Sequence, residues 1–172
     1  RRMGTDTFDS PSIGQGETAL FVGISDTDRS LDRLANLFFS QAMQELCRYA
    51  DEECEDSRLP VPVRFFLDDF ATNCRIEDFP RMIASIRSRE ISAVLMIQEE
   101  SQLTQLYGHD GRPIIGDCDT YVHPGGNDLD NARAVSERRE RPLNGILSLT
   151  VGELWLVRGG DEQYTGRWGR ET

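Results

Sequence analysis

The sequence predicts an α/β fold built on a mostly parallel sheet with helices on both faces. Three observations predict it. Short apolar runs alternate along the chain with stretches whose apolar residues recur at three- and four-residue steps. The runs are nearly continuous rather than alternating, the pattern of strands covered on both sides. The connections are short, and right-handed crossovers then bring the carboxyl ends of neighbouring strands to one rim.

Residues 1–17 are polar and rich in Gly, Ser, Thr and Asp, and read as an irregular lead-in. Ala19-Leu20-Phe21-Val22-Gly23-Ile24 reads as a first buried strand, closed by Ser25-Asp26-Thr27-Asp28. Asp28 or Ser30 is the expected N-cap of a long helix over 30–53. Its inward stripe is Leu31, Leu34, Ala35, Phe38, Ala42, Leu46 and Tyr49. The acidic run Asp51 to Asp56 reads as a solvated face and loop, closed by Pro60 and Pro62.

A second strand follows at 63–67, then a loop from Asp68 to Glu77. Asp78 is the expected cap of the next helix, with Pro80 in its first turn, where a missing N–H costs little. Phe79, Met82, Ile83 and Ile86 form its buried face, and Arg87-Ser88-Arg89-Glu90 ends it. Arginine near a helix C-terminus suits the macrodipole without any further role.

Ile91 to Ile97 is the next buried strand, with Gln98 at its carboxyl end. Ser101 to Tyr107 is a short helix with Leu103 and Leu106 inward, broken by Gly108 to Gly111, and Ile114-Ile115 suggest another helical turn. A short strand over 119–123 ends at Pro124-Gly125-Gly126. Asn127 or Asp128 caps a helix to about Arg138, with Leu129, Ala132 and Val135 inward. Leu154 to Val157 is the last strand. From Asp161 the chain is a polar tail carrying Tyr164 and Trp168. The organisation is therefore a lead-in (1–17), one α/β domain (18–160) and a tail (161–172).

At 172 residues the chain is one domain, or part of a larger one. Its net charge of −11 argues against an autonomous nucleic-acid binder. All 19 bases are arginine. A Walker A loop needs a lysine to reach the β- and γ-phosphates, so none is complete within these residues. Cys47, Cys54, Cys74 and Cys118 form no CxxC pair, and only two histidines accompany them, so free thiols are expected rather than a zinc site. No apolar stretch is long enough for a membrane span. The opening Arg-Arg-Met is compatible with a piece of a longer protein.

Chemistry is concentrated after the second strand. Val63-Arg64-Phe65-Phe66-Leu67 ends abruptly in Asp68-Asp69. Two acids at the carboxyl end of a parallel strand sit where open α/β sheets place their ligands. In a P-loop nucleotidase this is the Walker B position, where one acid holds Mg²⁺ and the next polarises the attacking water. A plain strand-to-loop exit gives the same short motif. Gln98, on the same predicted rim, has an amide suited to orienting a water or sensing a γ-phosphate, or to an ordinary strand-end hydrogen bond.

The motifs in combination are more specific than any one alone. Phe66-Leu67-Asp68-Asp69-Phe70-Ala71-Thr72-Asn73, Asp78-Phe79, Ser85-Ile86-Arg87-Ser88-Arg89-Glu90-Ile91 and Gln98 with Ser101-Gln102-Leu103 and Leu106-Tyr107-Gly108 follow one another. Ala19 to Val22 with Asp26-Thr27-Asp28, and Asp117-Cys118-Asp119 leading to Gly125-Gly126-Asn127-Asp128, agree with them. Over roughly residues 15–160 the chain resembles the TraG/TraD-type coupling proteins of conjugation and type IV secretion, in the form carried by mobile elements of Gram-positive bacteria.

The resemblance implies the C-terminal part of a RecA-like P-loop NTPase core. The family's Walker A loop and membrane helices lie upstream of Arg1, and its all-α domain is inserted before Ala19. It implies ATP and Mg²⁺ as cofactors of the complete protein, with Asp68 as the Walker B acid on Mg²⁺. Asp69 matches the catalytic carboxylate, where the wider family usually has Glu. Gln98 matches the polar residue that contacts the γ-phosphate or its water. Arg87 matches the arginine that reaches a neighbouring subunit's nucleotide, with Arg89 as the fallback. Implied partners are further copies in a homo-hexamer, a relaxase with single-stranded DNA, and the type IV secretion channel, at the cytoplasmic face of the cell membrane.

Two departures stand beside the likeness. Glu99-Glu100 follows Gln98, where Ser or Ala is common, and His123-Pro124 stands where a strand would continue. The isolated chain is expected to be inactive. The alternatives are an FtsK/HerA-like DNA-pumping ATPase, or a non-hydrolysing remnant that binds partners through its acidic surface.

Overall fold

In the computed structural model, residues 9–24, 29–73, 75–126, 128–139, 142–150, 152–159 and 162–167 are described. Asp28, Cys74, Asn127 and Trp168, which the sequence reading singled out, lie outside them. The chain divides into two compact units after Ile114.

The first unit opens with a 3-10 turn, Ser10–Gly14, and continues as an extended segment without secondary structure. The strand expected over Ala19–Ile24 is not formed. No neighbouring strand takes up its backbone among the described residues, and Phe21 is 92% exposed. A run of this kind is stable as a strand only where a ladder and cover exist on both sides.

The long helix α1 spans Asp32–Glu53, entered through a 3-10 turn at Arg29–Leu31. Its N-cap is Leu31, with no side-chain cap bond, rather than Asp28 or Ser30. Its buried residues are Ser40, Ala42, Met43, Leu46 and Ala50. The inward stripe therefore holds only in the second half; Leu31 and Leu34 are exposed.

Strand β1 is Val63–Leu67 and β2 is Ile91–Leu95. They pair in parallel, with Val63 opposite Ile91 and Leu67 opposite Leu95. Between them run α2 (Phe70–Asn73) and α3 (Phe79–Ile86). Asp78 is the N-cap of α3 as expected, but its backbone is left-handed and its side chain makes no cap bond. The 3-10 turn Arg87–Arg89 ends in a left-handed Glu90, which redirects the chain into β2.

Strand alternation sends Val63, Phe65, Ile91 and Ala93 to one face, where they join Leu46, Ala50 and Leu59 with Met82, Ile83 and Ile86. The opposite face carries Phe66, 64% exposed, and Met96, 44% exposed. The described helices thus cover one face of this pair, not two. Helix α4 (Glu100–Tyr107), a 3-10 turn at Gly108–Asp110 and α5 (Gly111–Gly116) follow. Gly111 lies against the α4 backbone so closely that a Cβ there would stand 2.3 Å from the Leu103 carbonyl oxygen.

The second unit corrects the parallel sheet more strongly. Strands β3 (Thr120–His123), β4 (Glu153–Arg158) and β5 (Glu162–Arg167) form a three-stranded antiparallel sheet in that order. Among the described residues the parallel sheet is limited to two strands. Strand β5 lies in the stretch read as a polar tail. Helix α6 spans Leu129–Arg139, and Asp128 starts it, its Oδ1 accepting the Asp130 N–H at 2.8 Å. Ala132 and Val135 are buried against Ile146 of the short helix α7 (Leu143–Leu147), whereas Leu129 is exposed.

Candidate functional site

The site is built where β1 and β2 end. Beyond the ladder the Met96 N–H donates to the Leu67 carbonyl at 3.0 Å, and the Phe70 N–H donates to the Met96 carbonyl at 3.1 Å. This clasp holds the exits of both strands together. Asp68 and Asp69 occupy the turn inside it, and Gln98 follows two residues after Met96.

Asp69 has φ 47°, in the left-handed region that disfavours most side chains and that Asp tolerates. Its N–H donates to Asp68 Oδ1 at 3.1 Å, and its carbonyl accepts the Thr72 N–H at 2.9 Å. Both carboxylates are exposed while the next residue, Phe70, is fully buried. The Phe70 ring sits 4.8 Å from Phe79 and 6.2 Å, stacked, from Tyr107. An apolar anchor therefore fixes the turn from below and leaves both acids open to solvent.

The segment after α2 is tied down by Asn36 and Ser40, which no motif had marked, and by Tyr107 of the Leu106-Tyr107-Gly108 motif. Asn36 Oδ1 accepts the Arg75 N–H at 2.9 Å, and Ser40 Oγ accepts the Glu77 N–H at 3.1 Å. The Tyr107 hydroxyl donates to the Ile76 carbonyl at 3.0 Å. These groups satisfy backbone that would otherwise lie between elements without a ladder. A polar residue at a buried helix position, such as Ser40, was the one signal available.

Gln98 is exposed, and Glu99 is the N-cap of α4. A capping box is present. The Glu99 side chain accepts the Gln102 N–H, and Gln102 Oε1 accepts the Glu99 N–H at 3.1 Å. The same oxygen accepts the Gln98 N–H at 3.0 Å.

The two arginines part company. Arg89 is held in a fork: Nε and Nη2 donate to Asp51 at 2.9 and 2.8 Å, and Nη1 donates to the Ser85 carbonyl at 2.8 Å. Its hydrogen bond to Asp51 is the main reason its pKa is raised further. Arg87 is exposed and lines a shallow depression with Arg58, Ala84, Ser88 and Glu90. It lies before β2, and the Val63 N–H donates to the Glu90 carbonyl at 2.9 Å. Arg87 is therefore at the amino end of the strand pair, about 13–17 Å of strand from the rim of Asp68, Asp69 and Gln98. Asp68 and Asp69 just past β1 and Gln98 just past β2 lie at the same end of the strand pair, and Arg87 lies at the other.

Among the described residues no group of three or more His, Cys, Asp and Glu is placed to hold a metal ion. A single carboxylate still suits Mg²⁺, which is commonly held by one or two carboxylates together with phosphate oxygens and water. Among the described residues no helix is long and apolar enough to cross a membrane.

With this geometry in view, the comparisons with known proteins are specific. Residues 62–139 match a family described as the TraM recognition site of TraD and TraG. The matched stretch spans the clasp, both acids, Arg87, Gln98 and the whole of α6. Over this stretch the chain is similar to the TraG/TraD-type coupling proteins.

Solved structures agree at the level of fold. The bacterial conjugative coupling protein TrwBΔN70 in an unbound form superposes with a TM-score of 0.69 at 14% identity, over 83% of this chain and 38% of its own. Plasmid coupling protein TrwB with an ATP analogue, ADPNP, gives 0.68 at 15% identity, over 83% and 37%. TrwB with ADP and Mg²⁺ gives 0.64 at 14% identity, over 83% and 38%. The chain shares its fold with part of these coupling proteins and spans less than two fifths of those solved chains. No curated protein matches.

Proposed function

We propose that this chain is the C-terminal part of the motor domain of a conjugative coupling protein. In the complete protein that domain hydrolyses ATP with Mg²⁺ and drives DNA of a relaxase complex toward a type IV secretion channel. The carrying observation is the clasp that gathers Asp68, Asp69 and Gln98 on one rim. The family match over 62–139 supports it, as does the likeness to a coupling protein crystallised with an ATP analogue and with ADP and Mg²⁺.

In this reading Asp68 holds Mg²⁺, directly or through water. The ion would neutralise charge on the phosphates. Asp69 polarises the attacking water from a turn whose backbone is already set, and Gln98 orients that water or the γ-phosphate. Arg87 serves a neighbouring subunit's nucleotide, which fits its place at the far end of β1 and β2. The complete protein is a homo-hexamer held by upstream helices at the cytoplasmic face of the membrane. The 172 residues alone do not hydrolyse ATP, because they carry no lysine to hold the phosphates.

Asp68→Ala in the complete protein tests the reading. Loss of Mg²⁺-dependent ATP hydrolysis is expected, and full activity would overturn the Walker B assignment.

The description of the matched family favours a second role for the same stretch: recognition of a TraM-type protein of the DNA-processing complex. Direct binding of such a protein to the isolated chain, weakened by salt, is expected if the acidic surface takes part. Absence of binding to the chain and to the complete protein alike would remove this role.

A further inference from the structure

We infer that Gln102 is a positioning residue for Gln98. The inference rests on the reading of Gln98 as the residue that orients the water or γ-phosphate. An ordinary capping box needs one backbone contact from the residue at the third helical position: its side chain accepts the N–H of the N-cap. Here Gln102 Oε1 accepts two, from Glu99 at 3.1 Å and from Gln98 at 3.0 Å. The second bond is surplus to helix capping and falls on the candidate site residue itself.

The place of that bond explains its value. The β1–β2 ladder ends at Leu67 opposite Leu95, and the last inter-strand backbone bonds are the two made by Met96. Among the described residues the ladder does not extend past Met96. Gln98 and Glu99 are both exposed, so the two bonds to Gln102 bear directly on their backbone. An amide oxygen has two acceptor positions, and both N–H groups converge on this one atom. The Glu99 side chain returns a bond to the Gln102 N–H, and Ser101 Oγ lies 2.9 Å from Glu99 Oε2. The start of α4 thereby becomes a rigid bracket. It carries Gln98 at a fixed distance from the clasp that also sets Asp69.

The test uses the complete protein and four forms: Gln98→Ala, Gln102→Ala, Gln102→Glu and the double alanine variant. Gln102→Ala is expected to lower kcat for Mg²⁺-dependent ATP hydrolysis roughly ten- to a hundredfold while KM changes little, as a small misplacement of a reacting group does. Gln102→Glu keeps an acceptor at the same reach and is expected to retain kcat within about threefold, because Glu serves the same position in capping boxes. On the Gln98→Ala background, Gln102→Ala is expected to cost nothing further in kcat. A helix that merely lost its cap would instead show losses that multiply. Unchanged kcat in Gln102→Ala, or multiplying losses in the double variant, overturns the inference while leaving the reading of Gln98 intact. Unchanged kcat in Gln98→Ala overturns that reading, and the positioning role with it.

Discussion

Arg89 grips Asp51 with two nitrogens on two oxygens, at 2.9 and 2.8 Å, across 38 residues of sequence. The pair ties the turn after α3 to the last part of α1. A bidentate guanidinium–carboxylate pair is the strong form of a surface ion pair, though solvent weakens it here. Arg89 is thereby committed to structure. Arg89→Ala is expected to cost about 1 kcal/mol in urea unfolding of this chain. Arg87→Ala is expected to stay within about 0.5 kcal/mol, as exposed substitutions usually do. Equal losses in the two variants would mean that both arginines are structural.

Phe70 is the anchor beneath the two acids. It is fully buried and touches Phe79 and Tyr107. Phe70→Ala is expected to destabilise by about 3–5 kcal/mol through lost burial and the cavity left behind. Phe70→Leu is expected to cost less. Chemical denaturation of the purified variants reads both, and a loss under 1 kcal/mol for the alanine variant would contradict the anchoring role.

The left-handed backbone of Asp69 makes its own prediction. Asp69→Asn keeps a side chain that tolerates this conformation and is expected to be nearly neutral for stability. Asp69→Val places a β-branched side chain at positive φ and is expected to cost about 1–2 kcal/mol or more. Both are expected to abolish hydrolysis in the complete protein. Thermal unfolding of the two variants side by side checks the order.

Cys47 carries a pH signature. Burial pushes its thiol up, and the Arg89 guanidinium draws it partly back. Between the unfolded and the folded pKa the native state keeps a proton that the unfolded chain has lost. Stability contributed at this site is therefore level below the unfolded pKa and falls as pH rises toward the folded one. Cys47→Ala is expected to flatten part of the alkaline decline in denaturation midpoint. Wild-type Cys47 is expected to react with a thiol reagent more slowly than free cysteine at the same pH.

Much of the first unit was legible. Val63 to Leu67 and Ile91 to Leu95 announce themselves as continuous apolar runs, and Phe79-Pro80 marks a helix start. The rim of Asp68, Asp69 and Gln98 followed from two parallel strands and the rule for crossovers. Less was legible where partners decide the outcome. Ala19 to Ile24 has the composition of a strand, but composition supplies no neighbour to pair with. Leu31 and Leu34 keep helical spacing, yet the buried face of α1 begins only at Ser40. The antiparallel sheet of the second unit was missed because Glu162 to Arg167 is too polar to read as a strand, and its order depends on long-range pairing. Gln102 was invisible as a support for Gln98, since a helix-start motif does not reveal which N–H groups its side chain will collect.

The exposed segment Ala19 to Ile24 also bears on how the material behaves in the tube. It is six residues long, uncharged, free of proline and rich in β-favouring side chains, with Phe21 almost entirely in water. Such hexapeptides stack readily into intermolecular cross-β ladders. The chain's strong negative charge opposes this at low ionic strength, and salt removes that protection. Concentrated samples are therefore expected to stay dispersed in dilute buffer and to become turbid as salt is raised, in the opposite sense to a protein whose contacts are purely ionic. A charged residue at position 21 would be the direct way to keep them clear.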